Sequence, residues 1–234
     1  MDFDTVTGVL QNQRLFKDVG ISDLRRVAPE LVRTELRRGE YLRHSHELND
    51  AIDLVVYGLV QLVLPSDQGA HRIMELIRPG QSMGEVMWMR RKPLPFCAVA
   101  AETTLVYRLP SATIDWLMRT SISFNRNLAE GLAERMAGLM HNIERLSMQN
   151  ATQRVADYLL QSAEMQGSDC IRLELKKHLT ASFLDISAET LSRVFHHLMR
   201  DRLIQVNGAE IAILSKERLI GLLQPATMAG GLAA

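Results

Sequence analysis

From about residue 30 to about residue 110, short apolar runs alternate with turn residues. The run LVVYGLVQLVL is continuous and rich in β-branched side chains, which favours buried strands. Pro65-Ser-Asp-Gln-Gly69 is typical of a hairpin connection, and Pro79-Gly80 is typical of a turn. Many short strands at this spacing predict an antiparallel barrel, sandwich or jelly roll.

A long helix is predicted from near Ser123 to about Gln149, where no proline interrupts the chain. Its apolar positions recur at the spacing of a heptad seam: Ala129, Leu132, Met136, Leu139, Ile143 and Leu146. The last five are the expected contacts of a two-stranded dimer. The alternative is a helix packed on its own domain, with Leu128 and Met140 widening the apolar stripe. Three polar residues beside the seam are expected to be solvated: Arg135, Asn142 and Arg145.

The segment from about Asn150 to Leu223 has the element order of a winged helix-turn-helix. ATQRVADYLLQSAEM predicts an amphipathic helix, CIRLEL a strand, and KKHLTASFL a short helix. Further on, two apolar runs meet at Asn207-Gly208, a strong hairpin signal because both residues accept positive φ. SKERLIGLL predicts a final helix, and the tail QPATMAGGLAA is expected to be disordered.

The second helix of this motif is ISAETLSRVFHHL, residues 186–198. Ser187 is a good N-cap, and Ile186 can pack on Leu191 as a hydrophobic staple. One face of the helix is apolar: Leu191, Val194, Phe195 and Leu198. The opposite face is polar: Glu189, Ser192, Arg193 and His196.

The polar face suits the DNA major groove. Arg193 can donate two hydrogen bonds to guanine, Glu189 can accept one from a cytosine or adenine amino group, and Ser192 can contact either kind of base edge. Nearby residues are candidates for contacting phosphates or positioning the helix: Lys176, Lys177, Thr180, Ser182, Ser187, Thr190, His196, Arg200 and Arg202. The alternative is structural, with Glu189 favouring the helix N-terminus and Arg193 pairing with it.

Composition limits the classes of protein. The 27 basic and 27 acidic residues cancel, so a nucleic-acid interface must be a local patch. Cys97 and Cys170 are the only cysteines, which argues against a disulfide framework and against CxxC metal sites. The sequence has neither a signal-peptide pattern nor the ~18 uninterrupted apolar residues of a membrane helix. A cytoplasmic protein without membrane contact is expected, and no catalytic motif predicts an enzyme.

Three features together resemble the CRP/FNR superfamily of bacterial transcription regulators. They are the segment ISAETLSRVFHHLMRDRLIQVNGAEIAIL, the long helix before it, and the β-rich region with PGQSMGE. The resemblance covers nearly the whole chain and implies an α+β fold. An N-terminal double-stranded β-roll, a cyclic-nucleotide-binding-like jelly roll, would span 1–115, a dimerisation helix 116–149, and a winged helix-turn-helix 150–223. The tail would be 224–234.

The recognition-helix motif matches the FNR side of the superfamily. Glu189, Ser192 and Arg193 fit its E-x-x-S-R pattern, whereas the CRP side has arginine at the position of Ala188 and glycine at that of Ser192. The resemblance implies a TTGAT-type half-site, bound twice by a homodimer, with RNA polymerase as a further partner. SMQNATQRVADYLL resembles the Dnr branch, linked to nitrate respiration and nitric oxide. Asp185 replaces the usual glycine of the turn, and aspartate tolerates the left-handed conformation.

The resemblance also places an effector pocket between the roll and the long helix: Gly84, Glu85, Phe96, Cys97 and Met140, with Met83, Val86, Met87 and Met89 as further walls. Cyclic-nucleotide-binding members hold the ribose with a Gly-Glu pair and the phosphate with an Arg-Ser pair. Here Gly84-Glu85 match the first pair, but Phe96 and Cys97 fill the second. Cyclic AMP is therefore not expected, and an iron–sulfur cluster is not expected without the family's N-terminal cysteines.

Haem enters as a hypothesis because the Dnr branch resembles haem-dependent nitric oxide sensors. The preferred axial-ligand candidates are His141, beside the seam, and His44; the others are His46, His71, His196 and Cys97. No spacing marks a haem site, and an ordinary surface or core role is the alternative for each. The whole sequence thus predicts a homodimeric DNA-binding regulator switched by an effector. The alternative is an effector-free or cyclic-nucleotide-binding module with a helical interaction domain.

Overall fold

The apolar runs of the first half form two four-stranded antiparallel sheets that enclose a shared core. The computed structural model describes residues 3–64 and 72–223. The predicted hairpin connection at 65–69, the haem-ligand candidate His71 and the tail 224–234 lie outside the described residues.

The strands of these two sheets are short, as their spacing in the sequence predicts. Their bounds are β1 Val32–Leu36, β2 Tyr41–Arg43, β3 Ala51–Tyr57, β4 Val60–Leu64, β5 Arg72–Ile77, β6 Ser82–Met83, β7 Cys97–Ala100 and β8 Thr104–Pro110. One sheet has the order β1-β8-β3-β6, and the other has the order β2-β7-β4-β5.

Alternation along β3 and β8 separates two cores. Val55 and Val106, which pair across the strands, face the second sheet and fill the interior of the roll. Leu54 and Tyr107 are the next pair and face the opposite way, into a core shared with helices. Strand β3 is therefore apolar on both faces, which explains its nearly continuous hydrophobic sequence.

Helices cover the outer face of the first sheet. They are α1 Phe3–Gln11, α2 Ile21–Val27, α3 Glu85–Arg90 and α4 Ser111–Thr120, with 3-10 turns at Arg14–Phe16 and Ala28–Glu30. Phe124, at the start of the next helix, is fully buried, and its ring lies 5.7 Å from that of Phe16. The first turns of that helix are thus anchored to the roll, and burying one such side chain contributes roughly 1.5–3 kcal/mol.

The long helix α5 spans Ile122–Met148, within a residue of the prediction at each end. The chain divides into two compact units within this helix, between Leu139 and Met140. No helix among the residues described is both long enough and apolar enough to cross a membrane.

The second unit contains the predicted winged helix-turn-helix elements: α6 Ala151–Gln166, β9 Cys170–Arg172, α7 Lys177–Phe183, α8 Ala188–Arg200, β10 Ile204–Asn207, β11 Glu210–Ile213 and α9 Lys216–Leu223. Helix α6 begins with a capping box, in which Asn150 and Gln153 each bond the other's backbone N–H at 3.0 Å. The three strands form one sheet in the order β10-β11-β9.

Candidate nucleic-acid interface and sensor residues

Helix α8 is seated by its apolar face, as predicted. The side chain of Ser187 accepts a hydrogen bond from the Thr190 N–H at 3.0 Å, which caps the helix and contributes roughly 1 kcal/mol. Leu191, Val194, Phe195 and Leu198 are buried in the core of the unit, and Ile186 packs half-buried against the same core. The opposite face is left to solvent.

The turn before α8 has the left-handed residue that the sequence anticipates. Asp185 has φ 56°, and the Ile186 N–H donates to the Ala181 carbonyl at 3.0 Å, closing the end of α7. A non-glycine residue in this region is strained, and aspartate is among the residues that accept it most readily. The tight connection between α7 and α8 therefore depends on Asp185.

The three predicted base-reading residues lie side by side on the exposed face. Arg193 and Glu189 form an ion pair four residues apart, and both side chains are about three-quarters exposed (77% and 73%). The Ser192 hydroxyl donates to the Ala188 carbonyl at 3.0 Å, so its oxygen can still accept. Because an exposed ion pair contributes little free energy, base edges can compete for both partners.

The predicted phosphate-contacting and positioning residues divide by exposure. Ser182 and Thr190 are half-buried, and the following are exposed: Lys176, Lys177, Ser187, His196, Arg200 and Arg202. Thr180 is a correction, because its side chain has no exposed surface and its hydroxyl donates to the carbonyls of Leu175 and Lys176, both at 3.4 Å. Its side chain supports α7 and cannot reach a phosphate in this conformation.

The predicted hairpin is present, with its turn shifted by one residue. Asn207 pairs with Glu210, so the two loop residues are Gly208 and Ala209. Gly208 has φ 62°, whereas Asn207 and Ala209 do not have positive φ. The hairpin is therefore confirmed, with Gly208 rather than Asn207 in the positive-φ conformation that both residue types accept. One positive φ at the first loop residue is the pattern of a type II′ turn.

The seam of α5 is largely open to solvent in the single chain. The exposed seam residues are Met136 (62%), Leu139, Ile143 (66%) and Leu146. Leu132 is half-buried and packs against the helix-covered core of the first unit. Residues this apolar on one exposed stripe indicate a surface that another apolar surface covers.

Two of the three flanking residues are not solvated as expected. Arg135 is three-quarters buried at its side chain and bonds Glu85 at 2.8 Å and Glu75 at 3.1 Å. Arg145 is 6% exposed, and its guanidinium lies 5.6 Å from the ring centroid of Phe183 on α7. Heptad spacing alone does not reveal these partners, because they come from other elements of the fold.

Gly84 and Glu85, two of the predicted effector-pocket residues, lie at the start of helix α3. Gly84 has φ 98°, and its carbonyl accepts from the buried Asn49 side chain at 2.7 Å. Glu85 is buried and bonded to Ser82 and Arg135, and Arg135 also donates to the Ser82 carbonyl at 2.8 Å. Burial of Arg135 lowers its pKa, but the carboxylates of Glu85 and Glu75 outweigh this effect and raise the pKa above its usual value. Glu85 therefore links the roll to α5 here.

Phe96 and Cys97 are buried in the roll, and Phe96 belongs to its interior core. The Cys97 Sγ accepts from the Ser45 N–H at 3.3 Å. Neither side chain supplies the cation that a cyclic phosphate needs. The fifth pocket residue, Met140, is 65% exposed and belongs to the second unit, so its role stays a prediction.

The haem-ligand candidates among the described histidines do not lie in an enclosed apolar site. His141 Nε2 lies 3.1 Å from a carboxylate oxygen of Asp157 and 2.8 Å from the amide nitrogen of Gln161. His44 is exposed and stacks on Tyr41 at 4.5 Å. Among the described histidines, every side chain is exposed or half-buried, whereas haem needs an apolar, enclosed site around its ligand.

Sequence inspection missed an ion pair inside the roll. Asp53 lies on the same face of β3 as Val55, and Arg43 Nη2 is 3.0 Å from its Oδ1 and 2.9 Å from its Oδ2. Burial raises the pKa of Asp53 to about 6, against the lowering effect of Arg43. A lone aspartate within the apolar stretch AIDLVV was the available signal.

Comparison with known proteins gives two family matches. Residues 153–222 match the Crp-like helix-turn-helix domain, and residues 33–121 match the cyclic nucleotide-binding domain. These ranges contain the α7–α8 motif with its wing and the two sheets of the roll. The predicted fold class, a β-roll followed by a winged helix-turn-helix, is confirmed.

Several relatives and solved structures resemble the chain over most of its length. It is 27% identical over 192 residues to the transcriptional activator protein Anr of Pseudomonas protegens, covering 80% of this chain and 78% of that protein. It is 28% identical over 176 residues to the cyclic AMP receptor protein of Thermus thermophilus, covering 75% and 81%. FixK2 of Bradyrhizobium japonicum shares the fold at a TM-score of 0.74 and 20% identity, covering 84% and 98%.

Proposed function

We propose that this chain, which belongs to the CRP/FNR family of DNA-binding transcription regulators, acts as a homodimer on a palindromic site whose half-sites are of the TTGAT type. The observation that carries the proposal is the exposed trio Glu189, Ser192 and Arg193 on a capped helix within the matched helix-turn-helix region. In a TTGAT half-site, Arg193 would donate to the guanine, and Glu189 would accept from the cytosine opposite it.

Phosphate contacts would supply affinity and register. The exposed cations Lys176, Lys177, Arg200 and Arg202 flank the base-reading face in sequence, with His196 on the same face of α8. Contacts of this kind carry no base information but make binding salt-dependent. Ser182, Ser187 and Thr190 would position the helix N-terminus against the backbone, and Thr180 is left out because it is buried.

The dimer interface would be the seam of α5. Its exposed apolar residues recur at heptad spacing, and dimerisation would bury them against the same residues of a second copy. The division of roles is part of the proposal: 1–115 as sensor, 116–149 as dimerisation helix and 150–223 as DNA-binding domain.

Switching would act through Arg135. This residue of α5 bonds Glu75, Glu85 and the Ser82 carbonyl, all of which belong to the roll. An effector that competes for Glu85, or that displaces β5 or β6, would release Arg135 and change the packing of α5. The two recognition helices would then move into or out of register with their half-sites, as a shift between two populated states.

For the effector, the proposal names a signal, nitric oxide, but assigns no group that binds it. The segment SMQNATQRVADYLL is the basis for placing the chain in the Dnr branch, whose signal is nitric oxide. The described histidines do not fit a haem ligand, so no step of the switch is assigned to haem. The family match and the Thermus relative's name point to cyclic AMP instead, but Phe96 and Cys97 leave its phosphate without a cation.

Two further roles follow from the family membership as proposals. The protein would act in the cytoplasm, where its DNA target lies, and would contact RNA polymerase when bound beside a promoter. Its relatives named above are, by name, a transcriptional activator and a receptor protein, so we assign no enzymatic activity to the chain.

Arg193→Ala tests the base-reading claim. On a TTGAT palindrome we expect a loss of about 1–3 kcal/mol and weaker preference for guanine at the contacted position. Fluorescence anisotropy with guanine-substituted duplexes measures both. Arg172→Ala is the matched control, because Arg172 is an exposed arginine on strand β9, outside the α7–α8 motif. Unchanged affinity and base preference in Arg193→Ala would remove the claim.

A further inference from the structure

Arg154, on the first turns of α6, is bound to the turn that precedes the recognition helix. Its Nη1 donates to the Leu184 carbonyl at 3.1 Å and to the Asp185 carbonyl at 3.2 Å, and lies 3.8 Å from the Asp185 carboxylate. The Arg154 side chain is only 15% exposed. A single, largely buried guanidinium group therefore bridges two successive backbone carbonyls of the turn.

The Leu184 carbonyl needs a partner because Leu184 is the C-cap of α7, which ends at Phe183. The last carbonyls of a helix have no intrahelical donor, and a cation near a helix C-terminus is favoured by the helix dipole. Asp185 adds a second requirement, since its φ of 56° is strained for a residue with a Cβ. A glycine at this position would hold the turn without such help.

We propose that Arg154 is a positioning residue for DNA recognition: it holds the strained Asp185 turn and so fixes the direction in which α8 presents Glu189, Ser192 and Arg193. The proposal rests on the proposed base reading by α8. Arg154 and Asp185 form a compensating pair. The hydrogen bonds of Arg154 stabilise a left-handed conformation that glycine would adopt without strain.

The docking of α7 does not depend on Arg154 alone. Phe183 lies under the guanidinium of Arg145 at 5.6 Å and edge-on to Tyr158 at 6.1 Å. Leu184 and Ala181 are fully or almost fully buried in the core of the unit. An Arg154 variant is therefore expected to fold, with the turn and the start of α8 loosened.

The experiment compares Arg154→Gln, Asp185→Gly and the double variant in the full-length protein. Anisotropy titrations on a TTGAT palindrome and on a shuffled duplex would be run over a series of salt concentrations. We expect Arg154→Gln to lose about tenfold in affinity for the palindrome, or ~1.4 kcal/mol, with little change on the shuffled duplex. Asp185→Gly should restore most of this loss, and the salt slope should stay as in the wild type.

Three controls separate positioning from other roles. Arg172→Gln removes one exposed positive charge elsewhere in the unit and should leave specificity unchanged. Asp185→Asn removes the carboxylate but keeps a Cβ, so it should restore less affinity than Asp185→Gly. If Arg154→Gln does not fold, Arg154→Lys replaces it. The loss of affinity in Arg154→Lys and its restoration by Asp185→Gly are then compared in the same way.

Two outcomes would overturn the proposal. A salt slope reduced by about one in Arg154→Gln would mean that Arg154 itself contacts a phosphate. A loss that Asp185→Gly does not restore would mean that the turn is not what Arg154 holds.

Hydrogen exchange at residues 184–191 is a readout that needs no DNA. It should be faster in Arg154→Gln and slowed again by Asp185→Gly. If the wild type fails to distinguish the palindrome from the shuffled duplex, the proposed function fails, while the exchange data still decide whether Arg154 holds the turn.

Discussion

At the scale of single residues, Asp53 is a buried carboxylate whose charge depends on its surroundings. It lies among apolar side chains inside the roll, and burial raises its pKa to about 6 although Arg43 favours the charged form. Arg108 Nε is 3.8 Å away and gives the site a second cation. Removing one partner of a buried ion pair lowers the free energy of unfolding strongly, whereas replacing both partners with well-packed apolar residues can leave it unchanged.

The pKa of Asp53 predicts the pH dependence of stability. The folded state holds the proton more tightly than the unfolded state, so the contribution of Asp53 is full below about pH 4 and falls as the pH rises through 6. The free energy of unfolding of the wild type minus that of Asp53→Asn should therefore decrease by up to about 3 kcal/mol between pH 4 and pH 7. Urea denaturation across this range measures the difference.

Asp18→Asn is the control, because the Asp18 side chain is 65% exposed and lies 3.7 Å from Arg126, which is not among the partners of Asp53. Its free energy of unfolding should stay within about 1 kcal/mol of the wild type, because an exposed ion pair contributes little. If Asp53→Asn and the wild type show parallel pH profiles, burial does not govern the charge of Asp53.

The residue scale also marks the limit of inference from sequence. The cap at Ser187, the left-handed Asp185 and the two faces of α8 follow from local rules, and all are present. Arg135 and Arg145 were expected in solvent, but the partners of Arg135 come from β5, β6 and α3, and the partner of Arg145 comes from α7. Partners this distant in sequence cannot be derived from the spacing along one helix.

At the scale of elements, α5 connects every proposed role. Its first turns are buried against the roll, its middle carries Arg135, and its last turn carries Arg145 beside α7. The bounds of α5 were predictable because no breaker interrupts the pattern. Whether its seam faces a second copy was left open by the sequence, since a helix packed within one chain can show the same spacing.

Ile143→Glu tests the seam. The residue is 66% exposed in the single chain, so the charge should leave the fold intact but be buried in a dimer. Losing this contact and adding a buried charge should weaken dimerisation by at least ~3 kcal/mol, or about a hundredfold. Sedimentation equilibrium measures the change, which should be a shift from dimer to monomer.

Ala137→Glu is the control on another exposed face of the same helix. It should leave the dimer unchanged, because position 137 lies outside the heptad seam. A dimer of equal stability in Ile143→Glu would place the interface elsewhere.

At the scale of the whole molecule, the fold class was predictable, but the chemistry of the sensor was not. Strand spacing, a long helix and a hairpin after two helices define the architecture through local and periodic signals. The sensor depends on which side chains meet across two sheets and α5. Glu85 bonded to Arg135, and Asp53 to Arg43, are pairs that only the folded chain brings together.

The arrangement of the described histidines predicts the outcome of a haem titration. His141 is bonded to Asp157 and Gln161, and His44 is exposed just after β2. Protein purified with added haem should therefore show no stoichiometric Soret band after gel filtration. A band at one haem per chain that disappears in His141→Ala would contradict this expectation and restore haem to the sensor.

The central claim is that two copies of α8 bind one palindrome together, and half-site spacing tests it most directly. Recognition helices related by a two-fold axis fit half-sites about 10–10.5 base pairs apart, centre to centre. Anisotropy titrations on TTGAT palindromes should show tight binding at this spacing and a loss of at least about tenfold when roughly five base pairs are inserted. Equal affinity for both spacings, or for a single half-site, would contradict the account.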